Sequence, residues 1–461
     1  MLPIPADLFP AVEPDNAYVV GGSIRDVLLG RRPLDYDIAV RGDPEGFARR
    51  MADRTAGHYI ELGKPGLLIY RIVADGIILD IAAIEGASIE DDLRRRDFTI
   101  NALAYDIATG QLLDCLDARN DLTAGRVRMV SSSIFRQDPV RLLRAFRMAS
   151  DLDFKIDPAT EAAIKDNVHR ITRTTGERVR AELYKILENP KSHIHISRMA
   201  DGGLLTAIFP ELKDLQGCRQ NRYHQFDVFD HTLKVYCHLE TILANIRADK
   251  PHGMDQRLWT PEAIPTAALK LAVLLHDIGK PTARSVDVDG GVHYYGHAKK
   301  SADMSKAISQ RLKLSRNDAD YIEFIIRNQM RPLSLFTASR QYRITRRAVT
   351  RFFMKCGEKT PDLLLHCMAD LMGKNDETEN NKGFIAFAGE LVQNYLSGYL
   401  PRTADPPLLS GHDLINRFGL SPSPLFKTIL NRVEEARLAN LIHSQSDAEK
   451  WVADFLKQRD E

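Results

Sequence analysis

Two aspartates near the amino terminus have the spacing of a metal site. Residues 34–40 read Leu-Asp-Tyr-Asp-Ile-Ala-Val, a pattern typical of a β-strand. Because side chains alternate faces along a strand, Asp35 and Asp37 project to the same side, where they repel each other unless a cation lies between them. Carboxylate oxygens close to a phosphate suit Mg²⁺. The sequence therefore predicts a magnesium site on this strand.

The segment before these aspartates predicts a strand, a glycine turn and a helix. Residues 18–20 are apolar, Gly21 and Gly22 interrupt them, and residues 23–29 carry apolar side chains at helical spacing. A glycine pair ahead of a helix leaves backbone N–H groups open to a phosphate chain, and Arg25 would add positive charge. The alternative is a simple glycine turn followed by two surface aspartates.

Alternating strands and helices continue beyond this unit. A helix is predicted over residues 44–56, and strands over residues 58–61, 67–73 and 77–82, with the last two joined by an Asp-Gly hairpin turn. Together they indicate a small mixed α/β head. Asp80 on the last strand is either a third carboxylate on the metal face or an edge aspartate.

Composition restricts the class of protein. The chain has 461 residues, 44% hydrophobic and 27% charged, enough for two to four globular domains. With 63 basic and 62 acidic residues, binding to nucleic acid would depend on local patches. Five cysteines without C-x-x-C spacing favour a reducing compartment, without structural zinc or disulfides. We expect a cytoplasmic protein with no membrane partner, because no signal peptide or membrane-spanning run is found.

The head motifs resemble a known family. Gly-Gly-x-x-Arg-Asp followed by Asp-x-Asp is similar to the polymerase-beta-type nucleotidyltransferases, specifically the bacterial tRNA CCA-adding and poly(A) polymerase group. Residues 95–102, Arg-Arg-Asp-Phe-Thr-Ile-Asn-Ala, extend the resemblance; without it, this run would be an ordinary solvated charge cluster.

The resemblance implies specific roles for head residues. Two Mg²⁺ ions would be held by Asp35 and Asp37, which are the catalytic carboxylates. The incoming nucleotide would be bound by the glycine turn and by the arginine motif, which contacts its ribose and triphosphate: Gly21, Gly22, Arg25, Arg95, Arg96, Asp97 and Asn101. The partners implied are the tRNA 3′ end, CTP and ATP.

A second motif predicts how the base is selected. Residues 137–147 read Gln-Asp-Pro-Val-Arg-Leu-Leu-Arg-Ala-Phe-Arg, and we expect Asp138 and Arg141 to be neighbours on one helix face, with Arg144 also in the nucleotide site. An acceptor beside a donor fits cytosine and adenine and rejects uracil and guanine. The alternative is an ordinary helical ion pair. Gln137 departs from the family's Glu-Asp-x-x-Arg pattern.

A cluster of histidines and aspartates follows in the second half of the chain. It resembles the HD phosphohydrolase domain that some bacterial CCA-adding enzymes carry, and its mixed nitrogen and oxygen donors suit a divalent transition metal or Mg²⁺. Gln329 replaces a histidine that many relatives have. The candidate ligands that remain are His231, His276, Asp277 and Asp370.

The predicted fold is α+β, with a small mixed-sheet head like that of polymerase beta, an all-helical neck, an HD domain and a helical tail. We place these at residues 1–130, 131–215, 216–375 and 376–461. Arginines in residues 343–351 either track an RNA backbone or form a solvated face. Residues 401–407 are predicted to be a linker, and the helices that open near Ser410 and Pro424 to bind RNA phosphates.

One local feature distinguishes the activities that share this architecture. Residues 84–90 connect a strand almost directly to the arginine motif, where full CCA-adding relatives carry a long polar loop that helps the pocket change from C to A. The expected activity is therefore addition of CC to tRNA. Full CCA addition, A addition and poly(A) synthesis remain alternatives, as does an HD phosphodiesterase with an inactive head. The sequence does not determine the oligomeric state.

Overall fold

The computed structural model describes residues 17–64, 67–218, 226–247, 264–289, 291–374 and 379–460. The chain divides into two compact units, Met1–Ile208 and Phe209–Glu461. The predicted head and neck lie almost entirely in the first unit, and the predicted HD domain and tail lie in the second. Among the described helices, none combines the length and apolar character that crossing a membrane requires.

The first unit contains the mixed sheet that the sequence predicts, which confirms the α+β class. Seven strands form it, in the order β3-β4-β5-β2-β1-β6-β7. Their bounds are β1 Ala17–Val20, β2 Asp35–Val40, β3 His58–Lys64, β4 Leu67–Ala74, β5 Ile77–Ala83, β6 Ala104–Asp106 and β7 Leu112–Leu113. A separate parallel pair joins β8 Arg126–Val127 to β9 Lys155–Ile156.

Strand β2 lies at the centre of this sheet and positions the two aspartates. It runs antiparallel to β1 and parallel to β5, which places Asp37 opposite Asp80. Tyr36 and Ile38 are buried, whereas Asp35 and Asp37 face outward, as the alternation of side chains predicts. The hairpin between β4 and β5 turns at Asp75 and Gly76, both with positive φ, which confirms the Asp-Gly prediction.

Helices fill the rest of the first unit. They are α1 Gly22–Leu28, α2 Pro44–Thr55, α3 Ile89–Arg94, α4 Ala118–Thr123, α5 Ile134–Gln137, α6 Arg141–Leu152, α7 Pro158–Asn167, α8 Gly176–Glu188, α9 His193–Asp201 and α10 Leu204–Ile208. Two 3₁₀ turns, Thr99–Asn101 and Val168–Arg173, connect them. Helix α6 buries one apolar face that includes Leu142, Leu143 and Phe146, and packs against α8.

The prediction that Asp138 and Arg141 share one helix is wrong. Helix α5 ends at Gln137, and Asp138 is extended, with φ −144° and ψ 99°. Helix α6 starts only at Arg141. Pro139 explains the break, because the proline ring disfavours helical geometry in the residue before it.

The described residues of the second unit are mainly helical. Its helices are α11 Val228–Arg247, α12 Thr266–Leu275, α13 Lys280–Ala283, α14 His297–Arg311, α15 Arg316–Asn328, α16 Arg331–Arg340, α17 Arg346–Cys356, α18 Thr360–Lys374, α19 Glu379–Gln393, α20 Leu400–Ala404, α21 Gly411–Phe418, α22 Pro424–Leu438 and α23 Gln445–Asp460. Shorter elements are the hairpin strands β10 Ser285–Val286 and β11 Val292–His293, two 3₁₀ turns, Pro210–Leu215 and Gly357–Lys359, and a π-helix, Asn394–Tyr399.

Two predictions about the tail need correction. The proposed linker over residues 401–407 is partly helical, since Pro401 lies in the first turn of α20, where proline is well tolerated. At the start of α21, Ser410 and Asp413 form a capping box that bonds the N–H groups of these two residues internally and leaves fewer donors for a phosphate. Helix α22 does begin at Pro424, and Ser423 makes no side-chain cap there.

Candidate functional site

A cleft of about 670 Å³ in the first unit collects most of the residues that the sequence singled out. Those lining it are Gly21, Gly22, Arg25, Asp35, Asp37, Arg96, Asp97, Asn101, Arg141 and Arg144. Arg95 and Asp138 do not line it. Asp80 also lines the cleft, together with residues that the sequence did not indicate, among them Arg71, Arg147, Met148 and Lys185.

The floor of the cleft is a row of carboxylates. Asp80 is neutralised by Arg71, whose Nε and Nη2 donate to its two oxygens at 2.8 and 2.7 Å. In the described part of the chain, Asp35 and Asp37 form no such ion pair. Burial raises the pKa of Asp37, and Asp80 and Asp35 add to the increase while Arg96 opposes it. Asp35 and Asp37 therefore favour an added cation between them.

The glycine turn beside these carboxylates is tightly packed. Gly21 has φ 78°, and a Cβ at this position would lie 2.7 Å from Nη1 of Arg96. A side chain there would displace Arg96 from the cleft. On helix α1, Arg25 donates through Nη1 to Oδ1 of Asn101 at 2.6 Å and pairs with Asp26. The turn and its two arginines thus form a positive wall next to the carboxylates.

Asp97 holds the opposite wall together. Its carboxylate accepts hydrogen bonds from Nδ2 of Asn101 at 3.0 Å, Nη1 of Arg144 at 3.2 Å and the N–H of Phe98 at 2.8 Å. Burial alone would raise the pKa of Asp97, but these donors outweigh it and keep the pKa below its ordinary value. Arg144 also donates to Glu182 on α8, at 3.1 Å. Asp97 therefore acts as an anchor for the arginines.

The two residues outside the cleft have partners elsewhere. Arg95 is exposed and pairs with Glu85 at 3.1 Å. Asp138 pairs with Arg178 on α8 at 2.7 Å, and this contact helps to keep its pKa low against the effect of burial. Arg141 donates through Nη2 to the carbonyl of Arg95, but its Nε and Nη1 are buried without hydrogen-bond partners.

The second unit brings together the four predicted HD residues. Donor atoms of His231, His276 and Asp370 all lie within 4.8 Å of one another. Nε2 of His231 is 3.0 Å from Asp370 Oδ1, and Nε2 of His276 is 3.1 Å from Asp277 Oδ2. All four residues are buried. Helices α11 and α18 supply His231 and Asp370, while His276 and Asp277 directly follow α12.

The chemistry of this cluster fits a metal ion. Nε2 of His276 is buried without a hydrogen-bond partner although two carboxylates face it. Burial would lower the pKa of His276, but Asp277 and Asp370 outweigh it and raise the pKa to about 9. Positive charge is therefore strongly favoured here, and a divalent cation bound between two imidazoles and two carboxylates would supply it.

Three nearby residues were not recognised as neighbours from the sequence. Lys280 contacts Asp277 and Lys374 contacts Asp370, each at 2.6 Å. The ring of His366 lies 5.2 Å from that of His276. Gln329 donates to the backbone carbonyl of His276 at 2.9 Å.

Three family models match separate parts of this chain. Residues 17–85 and 80–128 match the poly A polymerase head domain, residues 153–216 match a probable RNA and SrmB-binding site of polymerase A, and residues 228–352 match the HD domain. Head domains of this type and HD domains generally depend on divalent metal ions.

Relatives extend over nearly the whole chain. The A-adding tRNA nucleotidyltransferase of Deinococcus radiodurans is 31% identical over 95% of each chain. The CC-adding tRNA nucleotidyltransferase of Thermus thermophilus is 29% identical over 96% of this chain and 94% of its own. The Thermotoga maritima CCA-adding enzyme, solved in complex with tRNA, shares the fold with a TM-score of 0.64 at 22% identity, covering 97% of this chain and 98% of that one. This chain therefore belongs to the tRNA nucleotidyltransferase family and is an enzyme of that type, with a poly A polymerase head and an HD domain.

Proposed function

We propose that this enzyme transfers two C residues from CTP to the 3′ end of tRNA and then stops. The observation that carries this proposal is the connection between β5 and α3. It comprises residues 84–88 only, because β5 ends at Ala83 and α3 begins at Ile89. A loop this short has little reach, so it is poorly suited to reshape a pocket between two bases.

Hydrogen bonds also fix this connection at both ends. The N–H of Ile84 donates to the carbonyl of Val40 at 2.9 Å, and the N–H of Glu85 donates to Asp92 at 3.1 Å. Arg41 donates to the carbonyl of Ala87, and Ser88 caps α3. The segment that would have to move between C and A addition is thus held to the sheet and to the helix that follows it.

The relatives support tRNA as the substrate but do not separate the activities. The Deinococcus radiodurans enzyme is named as A-adding and the Thermus thermophilus enzyme as CC-adding, at nearly the same identity to this chain. Full CCA addition, A addition and poly(A) synthesis are therefore the competing activities.

Residues of the cleft suit each step of nucleotide transfer to the RNA 3′ end. Two Mg²⁺ ions bound by Asp35 and Asp37 would lower the pKa of the RNA 3′-hydroxyl and neutralise the triphosphate. Gly21 leaves room for Arg96 beside the backbone, and Arg25 and Arg96 would hold the charge of the triphosphate. The hydroxyl oxygen attacks the α-phosphate in line, and pyrophosphate leaves carrying the electron pair of the broken P–O bond.

Base selection would depend on the region around Arg141. Its Nε and Nη1 are buried without a partner, so a base edge that reached them would satisfy both donors. Asp138 supplies an acceptor and is held in place by Arg178. A donor beside an acceptor matches cytosine and adenine, so the protein rather than a nucleic-acid template would choose the nucleotide.

Replacing Asp37 with Asn should lower CMP incorporation by about 10³-fold, because a ligand of a charge-stabilising metal is lost. Affinity for tRNA, measured by filter binding, should not change. Asp53→Asn, on the exposed side of α2, is the matched control and should retain full activity. Full activity of the Asp37 variant would refute the metal assignment.

Replacing Arg141 with Ala should reduce discrimination against UTP and GTP by about tenfold, because a base-edge donor worth 1–2 kcal/mol is removed. The measurement is kcat/KM for each of the four nucleotides with one tRNA. Arg136→Ala, at an exposed position on α5, serves as the control. If the Arg141 variant keeps wild-type selectivity and loses only stability, the residue is structural.

The stop after two C residues can be tested directly with two tRNA substrates and an unstructured RNA. A tRNA that ends at its discriminator base should gain two C residues and stall although ATP is present. A tRNA that already ends in CC should gain nothing with ATP or CTP. Efficient addition of a terminal A to either one would contradict the CC-only proposal. Long A tracts on an unstructured RNA would instead identify a poly(A) polymerase.

We propose metal-dependent phosphohydrolase activity as a second activity of this enzyme. A cleft of about 250 Å³ opens onto the HD cluster. Lys280, His297 and Lys374 line this cleft and suit the binding of a phosphate. His276→Ala should abolish hydrolysis of 2′,3′-cyclic phosphate ends or phosphomonoesters but leave CMP addition intact. His412→Ala, an exposed residue of α21, is the control. No hydrolysis by the wild-type enzyme with Mg²⁺, Mn²⁺, Co²⁺ or Ni²⁺ would contradict this activity.

A further inference from the structure

We propose that His366 is an additional imidazole ligand of the HD metal site. Together with His231 and His276 it would give the site three nitrogen donors beside its two carboxylates. Such a site takes a transition metal rather than Mg²⁺.

The imidazole of His366 is buried and lacks hydrogen-bond partners. Only 1% of the residue is exposed, and both ring nitrogens are buried without a hydrogen-bond partner. Leaving a polar group in this state costs about 1–3 kcal/mol. Most buried polar atoms in folded proteins have a partner, and an ion is one of the partners that would explain such an exception.

His366 lies next to two of the predicted metal ligands, Asp370 and His276. It lies on α18 one turn before Asp370, so both side chains share one face of that helix. Its ring centre is 5.2 Å from that of His276, whereas the ring centres of His231 and His276 are 5.7 Å apart. Two imidazoles on one ion have ring centres about 5 Å apart, given metal–nitrogen bonds of about 2.0–2.1 Å. His366 is thus as close to His276 as a ligand pair requires.

Direct ligation requires the His366 side chain to move. The donor atoms within 4.8 Å of one another belong to His231, His276 and Asp370, and His366 is not in that group. Rotation about its side-chain torsions would turn a ring nitrogen toward the cluster. Gln329 supports the backbone of His276 and offers no imidazole. The additional imidazole of this chain would therefore come from α18.

The charges around the cluster indicate which metal it prefers. Asp277 and Asp370 are each shared with an ammonium group, from Lys280 and Lys374, at 2.6 Å. Because each carboxylate is already paired with an ammonium group, it is a weaker ligand for a metal ion. The neutral imidazoles would therefore contribute more to metal binding. Imidazole donors suit Zn²⁺, Fe²⁺, Co²⁺ and Ni²⁺, whereas Mg²⁺ prefers oxygen ligands in an octahedron.

The test compares the full-length enzyme with His366→Phe, which keeps a planar ring but lacks a nitrogen donor. Metal-free protein is titrated calorimetrically with Co²⁺, Zn²⁺ and Mg²⁺. Loss of one ligand should weaken Co²⁺ and Zn²⁺ binding by at least about tenfold. His195→Phe, a change at a buried histidine of the other unit, is the matched control for replacing a buried imidazole and should leave the affinity unchanged.

A spectroscopic count distinguishes ligation from a structural role. In the Co²⁺ form, each metal-bound imidazole gives a paramagnetically shifted N–H proton resonance. No histidine lines the cleft of the head, so Co²⁺ there adds no such signal. The wild type should show three resonances and His366→Phe two. Two resonances in the wild type, or metal affinity unchanged in His366→Phe, would overturn the proposal. If that variant does not fold, the wild-type count alone decides.

Discussion

The first unit is organised around the repulsion among carboxylates on one face of its sheet. Parallel pairing of β2 with β5 places Asp37 opposite Asp80, and the alternation of side chains adds Asp35 to the same face. Arg71 neutralises Asp80 from the neighbouring strand, so the remaining unpaired charge is concentrated at Asp35 and Asp37. Repulsion at this point is tolerable only if cations bind, and the arginine-lined walls favour a ligand that brings negative phosphates to those cations.

Much of this head could be predicted because its determinants are local. Strand alternation placed Asp35 and Asp37 on one face, and the glycine pair marked the turn before α1. Longer-range contacts could not be predicted. The Arg71–Asp80 pair depends on the register of β4 against β5, and the position of Asp97 depends on Arg144, 47 residues away. The end of α5 before Asp138 is different. Pro139 indicates it, because proline disfavours helical geometry in the residue before it. The resemblance to the family's Glu-Asp-x-x-Arg pattern nevertheless favoured the prediction of one continuous helix.

In the HD cluster, too, residues within a local motif could be predicted from the sequence, whereas a residue placed by helix packing could not. His276 and Asp277 stand out because they adjoin each other within His-Asp-x-Gly-Lys. His366 does not stand out, because α18 is buried on nearly all sides and a lone histidine among its leucines carries no periodic signal. Its place beside His276 depends on how α18 packs against α12 and α11, which is a property of the folded unit.

The anchoring of residues 84–88 also has an energetic consequence for base choice. Each hydrogen bond of this kind makes a net contribution of about 0.5–1.5 kcal/mol to stability, and exposed hydrogen bonds lie at the low end of that range. The bonds donated by Ile84 and Glu85 and the bond accepted by Ala87 would together make a displaced connection less stable by about 2–3 kcal/mol, so that it is populated about a hundredfold less. A pocket that must be reshaped for adenine would bear that penalty in every A addition, whereas C addition uses the ground-state arrangement. Under the proposed function, a short, anchored connection would favour cytosine without any contact to the base itself.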